Sequence, residues 1–307
     1  MNIRPWESHS DVTADEALRL IQDQCPSVSP QSISLLGRGW DNVAFLIDDH
    51  YVFRFPRRPL GAQCMAHEVL ILPHLELTSL RIPKPVFVGT FQLDGKPCKF
   101  AGYTVIKGQL ASECQLTPAA RSHLAQPLGT FLSELHRTDI DTAELRNAPG
   151  DLIGRLDLPR RISQTDERLQ QIETLGVTPH VRYLRDLLDS IKGSLVIEPK
   201  TVLCHGDLYS RHIVLSSRND ISGIIDWGDV HLNHPAIDLA VAWKFLPVNC
   251  HETFRSAYGT ISDDSWLLAQ FRALNHLTAL LVYAIETDAH DLIHETQFTM
   301  ENLLAGS

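Results

Sequence analysis

An α+β chain in two unequal lobes is what this sequence predicts, a small antiparallel β-sheet lobe followed by a larger, mainly helical one. Three observations point there. Up to about Lys107 the apolar residues come in short runs, rich in Val, Ile and Phe and separated by turn residues, the pattern of half-buried strands. After Gly108 they recur at helical spacing over much longer segments. Within that second part, two short apolar runs, Val202 to Cys204 and Ile221 to Ile225, each deliver an aspartate to a loop, Asp207 and Asp226. The expected division is therefore 1–107 and 108–307.

Bulk composition narrows the classes. Of 307 residues 44% are hydrophobic and 21% charged, ample for a core and ordinary for a globular chain. A formal net charge of −10 leaves no basic stripe for phosphates, which argues against a nucleic-acid partner and is compatible with a cationic small molecule. Met1 to Glu7 lacks the apolar core of a signal peptide, and the longest mostly apolar segment, near Leu277 to Ile285, is too short to span a bilayer. No membrane partner and a cytoplasmic location are expected. Cys25, Cys64, Cys98, Cys114, Cys204 and Cys250 are scattered without a Cys-x-x-Cys pair, so they read as reduced thiols.

Taken in order, Thr13-Ala14-Asp15-Glu16 ahead of Ala17, Leu18, Leu20 and Ile21 reads as a capped helix ending near Cys25-Pro26. Ile33 to Leu36, the turn Gly37 to Asn42, and Val43 to Ile47 make a strand–turn–strand unit. Gly37 and Gly39 would let backbone N–H groups approach anionic oxygens, although the same residues would serve a plain hairpin. A third strand, Tyr51 to Phe55, carries Arg54, and Pro56 and Pro59 place Arg57 and Arg58 beyond it. Glu68 follows on a helix of Ala66 to Leu72. Val86 to Phe91 and, after the Asp94-Gly95 turn, Phe100 to Lys107 are further extended runs.

In the second part Ala119 to His136 has a helical stripe of Leu124, Leu128, Phe131, Leu132 and Leu135, with Pro127 expected to break or kink it. Leu156 to Leu175 and His180 to Ile191 are helices divided by Gly176 and Pro179. Ala236 to Trp243 opens an apolar helix, Trp266 to Ile285 forms a long one, and Asp288 to Leu304 another. His290 and His294 share a helix face, but Asp291 stands where a zinc peptidase helix has Glu and no third ligand is evident, so they read as solvated. His231 to His234, with Asn233 and Pro235, reads as a turn.

The chemistry lies in His205-Gly206-Asp207 and Asp226-Trp227-Gly228. Phosphoryl transfer needs one carboxylate to orient and deprotonate the attacking hydroxyl, and another to hold the Mg²⁺ that bridges the phosphates. These two aspartates supply both, in kinase-like order and spacing. At these residues the chain resembles the aminoglycoside phosphotransferases, small-molecule kinases with a protein-kinase-like fold. The resemblance is strongest from Ile33 to Trp243. His212, where most kinases carry Asn, makes it most similar to the aminoglycoside 2″-phosphotransferases and the macrolide phosphotransferases.

That resemblance implies a role for each matching residue. Asp207 would be the base, Asp226 the principal Mg²⁺ ligand, and His212 the second-site ligand or its substitute. Gly37 and Gly39 would fold over the phosphates of ATP or GTP. Arg54, in place of the Lys of the 2″-phosphotransferases, would grip those phosphates while paired to Glu68. Backbone groups near Thr104 and Ile106 would bond the purine edge. Asp238 would brace the catalytic loop, and His205 would hold it. The partners implied are a nucleoside triphosphate and a small-molecule hydroxyl acceptor of the aminoglycoside type. A macrolide, a housekeeping metabolite such as choline or homoserine, and a non-catalytic pseudokinase are the alternatives. Leu239-Ala240-Val241-Ala242-Trp243 is apolar where the 2″-phosphotransferases are acidic, which suits packing or an apolar acceptor. Carboxylates for a cationic acceptor would come from Asp229, Asp263, Asp264, Glu286, Asp288, Asp291 or Glu295.

Overall fold

The computed structural model describes residues 11–306, so the amino-terminal stretch read for a leader lies outside it. The first helix, α1 (Ala14–Gln24), is capped by Thr13, whose hydroxyl accepts the Glu16 N–H at 3.3 Å. Its Ala17 and Ile21 are fully buried. Five strands, β1 (Ile33–Arg38), β2 (Asn42–Ile47), β3 (Tyr51–Pro56), β4 (Pro85–Leu93) and β5 (Lys96–Thr104), form one antiparallel sheet in the order β1-β2-β3-β5-β4. Alternation decides which face is inside. Val43, Phe45, Ile47, Phe53, Phe55, Phe91 and Phe100 pack with α1, with Phe55 and Phe100 stacked at 4.7 Å.

Between β3 and β4 runs α2 (Pro59–Ile71), which starts with proline in its first turn, where no N–H is needed. It packs Met65 on Ala101 and Tyr103 and carries Glu68 into a fully buried position. The chain leaves the sheet after Thr104.

In the second part, β6 (Gln109–Leu110) is followed by α3 (Pro118–Ser122) and α4 (Ala125–His136). The single helix expected from Ala119 to His136 is thus two. The break falls at His123 and Leu124, and Pro127 sits harmlessly in the first turn of α4. Next come α5 (Leu158–Leu175), which ends on Gly176 at φ 64°, and α6 (Val181–Ile191). Four short strands follow: β7 (Val202–Cys204), β8 (Ile213–Leu215), β9 (Ile221–Ile224) and β10 (His231–Asn233). β8 pairs with β9 and with β6, while β7 pairs antiparallel with β10. The turn expected at His231 to Asn233 is therefore a strand, because Leu232 lies opposite Leu203 and finishes the ladder.

The chain ends in α7 (Ala236–Leu239), α8 (Val241–Phe245), α9 (His251–Tyr258), α10 (Asp263–Thr287) and α11 (His290–Ala305). Their apolar faces close with α4 around Phe131, Trp227, Phe254 and Phe271. Leu239 to Trp243 is wholly buried, so its apolar character serves packing and offers no acceptor surface. Among the described residues no helix is long and apolar enough to cross a membrane, and all six cysteines are free.

Candidate active site

Strand β7 delivers Asp207 and β9 delivers Asp226, and both loops are tied from below. Gly206 has φ 91°, and a Cβ there would run into the Asp229 carbonyl, so the turn requires glycine. Fully buried Asp238 accepts the N–H groups of His205 at 2.7 Å and Gly206 at 2.9 Å, with His136 Nε2 at 3.1 Å. Burial pushes the Asp238 carboxyl up, but His136, His205 and the Gly206 N–H outweigh it and bring it to about 2. His205 Nε2 lies 3.0 Å from the Ile225 carbonyl, which fastens the first loop to the second. His136, Cys204 and Asp238 have donor atoms within 4.8 Å of one another, the one such metal-like group among the described residues. Asp238 is already occupied there by hydrogen-bond donors, and the trio reads as this brace.

Asp226 sits at φ 62°, a left-handed conformation that Asp tolerates better than most side chains. Its Oδ1 is 2.5 Å from Arg54 Nη2 and its Oδ2 is 3.4 Å from His212 Nε2. Arg54 also bonds Glu68, with Nη1 at 2.9 and 3.0 Å from the two oxygens. Burial pushes the Asp226 carboxyl up, but Arg54 and His212 pull it below the usual range. His212 Nδ1 lies 2.6 Å from the Asp207 carbonyl, so Nδ1 carries a proton and Nε2 keeps a lone pair when the ring is neutral. Asp226 and His212 are the candidate metal-holding pair.

The other expected nucleotide contacts lie apart from this cluster. Gly37 ends β1 with nothing within 4 Å of where its Cβ would be, and the Gly39 N–H donates to Asn42 across the turn at 2.9 Å. Val105 N–H donates to the His50 carbonyl at 2.9 Å. Since backbone groups alternate along an extended chain, those of Thr104 face away from β3, past the start of β4.

Several groups around Asp207 escaped the sequence reading. His276 from α10 brings Nε2 to 3.6 Å from Asp207 Oδ1. Tyr209 packs its ring against His212 and His276, and Lys244 Nζ lies 6.0 Å from that ring. Arg155 bonds Asp229 at 2.6 Å and Asp151 at 2.8 Å. Burial pushes the Asp207 carboxyl up, yet His276, His212 and Lys244 together hold it well below the usual carboxylate range. Burial, together with the Lys244 charge, takes His276 down to about 4, so it is neutral at pH 7. Burial brings Lys244 down to about 8 against the pull of Asp207, and Arg272 to about 10 with Arg155 adding to the effect. A signal for them was present. Lys244 interrupts a buried apolar run, and Arg272 and His276 stand four residues apart in an apolar helix.

The late acids are mostly spoken for. Asp291 pairs with Arg211 through two 2.9 Å bonds, Glu295 is buried against Arg121, and Asp229 is held by Arg155. Asp263 is fully exposed at the start of α10.

A small antiparallel sheet and a helical body, joined where an arginine–glutamate pair meets one of two loop aspartates, define a phosphotransferase of the kinase type. The chain belongs to the phosphotransferase enzyme family, whose model matches residues 32–284. Among solved structures it is similar to the GDP complex of aminoglycoside 2'-phosphotransferase-IIIa, at 25% identity and a TM-score of 0.69, covering 95% of this chain and 99% of that one. The GDP and kanamycin complex of APH(2″)-IIia matches at 27% identity and a TM-score of 0.68, with the same 95% and 99% coverage. Macrolide 2'-phosphotransferase type I shares the fold at 15% identity and a TM-score of 0.58, over 94% of this chain and 98% of that one.

Proposed function

We propose that this phosphotransferase moves the γ-phosphoryl group of ATP or GTP to an alcohol hydroxyl of a small molecule. Residues 1–107 would hold the nucleotide and residues 108–307 the acceptor. The observation that carries this is the pairing of two aspartates on mutually fastened loops, one facing His276 and the other facing Arg54 and Glu68.

The acceptor oxygen bonds to the γ-phosphorus as the bond from phosphorus to the β,γ-bridging oxygen breaks, and nucleoside diphosphate leaves. The hydroxyl proton passes to Asp207. Asp207 also orients that hydroxyl. Arg54, anchored on Glu68, holds permanent positive charge beside the phosphates. The backbone of Gly37 and Gly39 would cover them, and Thr104 and Ile106 would meet the purine.

The donor set fits Mg²⁺: Asp226 offers a half-exposed carboxylate, the hard oxygen ligand this ion prefers, and His212 offers Nε2 beside it. Bound there, Mg²⁺ would neutralise phosphate charge. The His212 Nδ1–H donated to a carbonyl is the orientation expected of a ligating imidazole.

GDP in two relatives of at least 25% identity supports a nucleoside triphosphate donor, and kanamycin in one of them supports an aminoglycoside acceptor. Against that acceptor, three of the carboxylates a polycation could use, Asp229, Asp291 and Glu295, are already paired with arginines. A macrolide loses its main support, because the apolar helix is core. The pseudokinase reading is disfavoured by the presence of both aspartates.

Replacing Asp207 by Asn keeps the shape and removes the proton acceptor, so turnover should fall by roughly two or more orders of magnitude. Nucleotide affinity should change little. The measurement is nucleoside diphosphate release over a panel of hydroxyl compounds, with products identified by mass. Near-full turnover by Asp207→Asn would overturn the assignment.

A further inference from the structure

We infer that the acceptor carries an anionic group, a carboxylate or a phosphate ester, which seats on Lys244 and Arg272 beside Asp207. This rests on the phosphotransferase reading and names the class of acceptor.

The first observation is a buried ammonium with nothing to hold. Lys244 is only 6% exposed, set on α8 between the buried Trp243 and Phe245. Among the described residues its ammonium makes no hydrogen bond and no ion pair; the Tyr209 ring lies 6.0 Å away, and Asp207 acts on it only through space. Buried cations are normally paired, and an unpaired one facing a reactive carboxylate is a place where a ligand supplies the partner.

The second observation is independent and lies on another helix. Arg272 of α10 donates Nη1 to Asn275 at 2.9 Å, while its Nε is buried without a partner. No carboxylate forms an ion pair with it among the described residues. A guanidinium presents donors in a fork that matches a carboxylate or phosphate, so open donors of this kind fit such a group.

The nearby acids cannot serve instead. Asp151 and Asp229 are engaged by Arg155, and Asp238 by two backbone N–H groups and His136. Asp207 has no ion pair with either cation, and it is the base. Two unpaired cations beside the acceptor position repel a polycation and attract an anion. Lys244 lies over the Tyr209 ring, Tyr209 and Asp207 both meet His276, and Arg272 is one turn before His276 on α10, so both cations share the wall that carries Asp207.

The test uses the full-length protein saturated with Mg²⁺ and a non-hydrolysable ATP analogue, so that the phosphate site is filled. Calorimetry then follows gluconate and glucose 6-phosphate as anionic polyols, sorbitol and glucose as their neutral counterparts, and kanamycin as a polycation. At least one anionic probe should bind tenfold or more tightly than its neutral counterpart, and the two anionic arms tell a carboxylate from a phosphate ester. That binding should weaken tenfold or more in Lys244→Met and in Arg272→Gln, and should weaken as salt is raised. Lys244→Arg, which keeps the charge, should retain most of it. If Lys244→Met does not fold, Arg272→Gln carries the same comparison. The inference is overturned if neither anion outbinds its neutral counterpart, if kanamycin binds tightest, or if both substitutions leave anion binding unchanged. Nucleotide turnover is read separately. Its loss in Asp226→Ala, with the anions failing to bind, would leave the phosphotransferase standing without this acceptor.

Discussion

Removing the Arg54 side chain should cost this protein stability as well as nucleotide affinity, and the cost should depend on pH. Glu68 is fully buried, and both its oxygens are bonded by Arg54. Burial already outweighs Arg54 and holds the Glu68 carboxyl above its ordinary 4.5. In Arg54→Ala only the Tyr103 hydroxyl still opposes burial, so the folded-state value rises further. A carboxyl raised above its unfolded value opposes folding by an amount that grows as pH rises past the unfolded value and levels off above the folded one. Each pH unit by which the substitution raises that value adds about 1.4 kcal/mol at most, so the loss relative to wild type is larger at pH 7 than at pH 5. Urea denaturation of wild type and Arg54→Ala at pH 5, 6 and 7 measures it. The added substitution Glu68→Gln removes the charge, so the double variant should recover most of the loss at pH 7. Its nucleotide KM should remain high, because the phosphate contact is still missing. An Arg54→Ala protein whose stability relative to wild type shows no pH trend, and no recovery with Glu68→Gln, would refute the buried-pair argument.

Two further outcomes follow from the loops. Asp226→Ala should abolish the Mg²⁺-dependent part of nucleotide binding, which calorimetry with and without a chelator reads directly. Asp238→Asn turns one acceptor oxygen toward an N–H donor as an amide, so it should lower stability by about 2–3 kcal/mol and lower kcat by loosening the Gly206 turn. The Asp238 carboxyl is held near 2 in the fold, so its stabilisation is present above about pH 4 and fades as pH falls toward 2. Acid denaturation of Asp238→Asn should lack that fading.

The sheet was legible because each strand states its own periodicity. Val43, Phe45 and Ile47 alternate inward, and Arg54 stands between the buried Phe53 and Phe55. Elements whose cause lies elsewhere in the chain were not. The pairing of β10 with β7 joins segments far apart in sequence, so a run with Asn233 and Pro235 looked like a turn from within. The break before α4 depends on Leu124 being buried in the core, whereas Pro127, the residue that advertises a break, falls where a helix tolerates it. α9 went unread because its eight residues bury only His251, Phe254 and Tyr258.

The same division runs through the site. Asp207, Asp226, Arg54 and Glu68 could be read because motif order and spacing mark them, and the structure brings Arg54, Glu68 and Asp226 into direct contact. What stands against Asp207 comes from three separate places, Tyr209 and His212 beside it, Lys244 on α8 and His276 on α10. No spacing rule joins those positions, and each has a bland explanation within its own helix. Arg54 shows how one substitution changes the geometry that such rules assume. A lysine ammonium is a single point of charge, whereas the arginine fork holds Glu68 with Nη1 and still reaches Asp226 with Nη2. The helix that carries Glu68 and the loop that carries Asp226 are thereby linked through one guanidinium. If Asp226 holds Mg²⁺ as proposed, it would share that carboxylate with Arg54, so phosphates that drew the arginine away would leave more of the carboxylate for the ion.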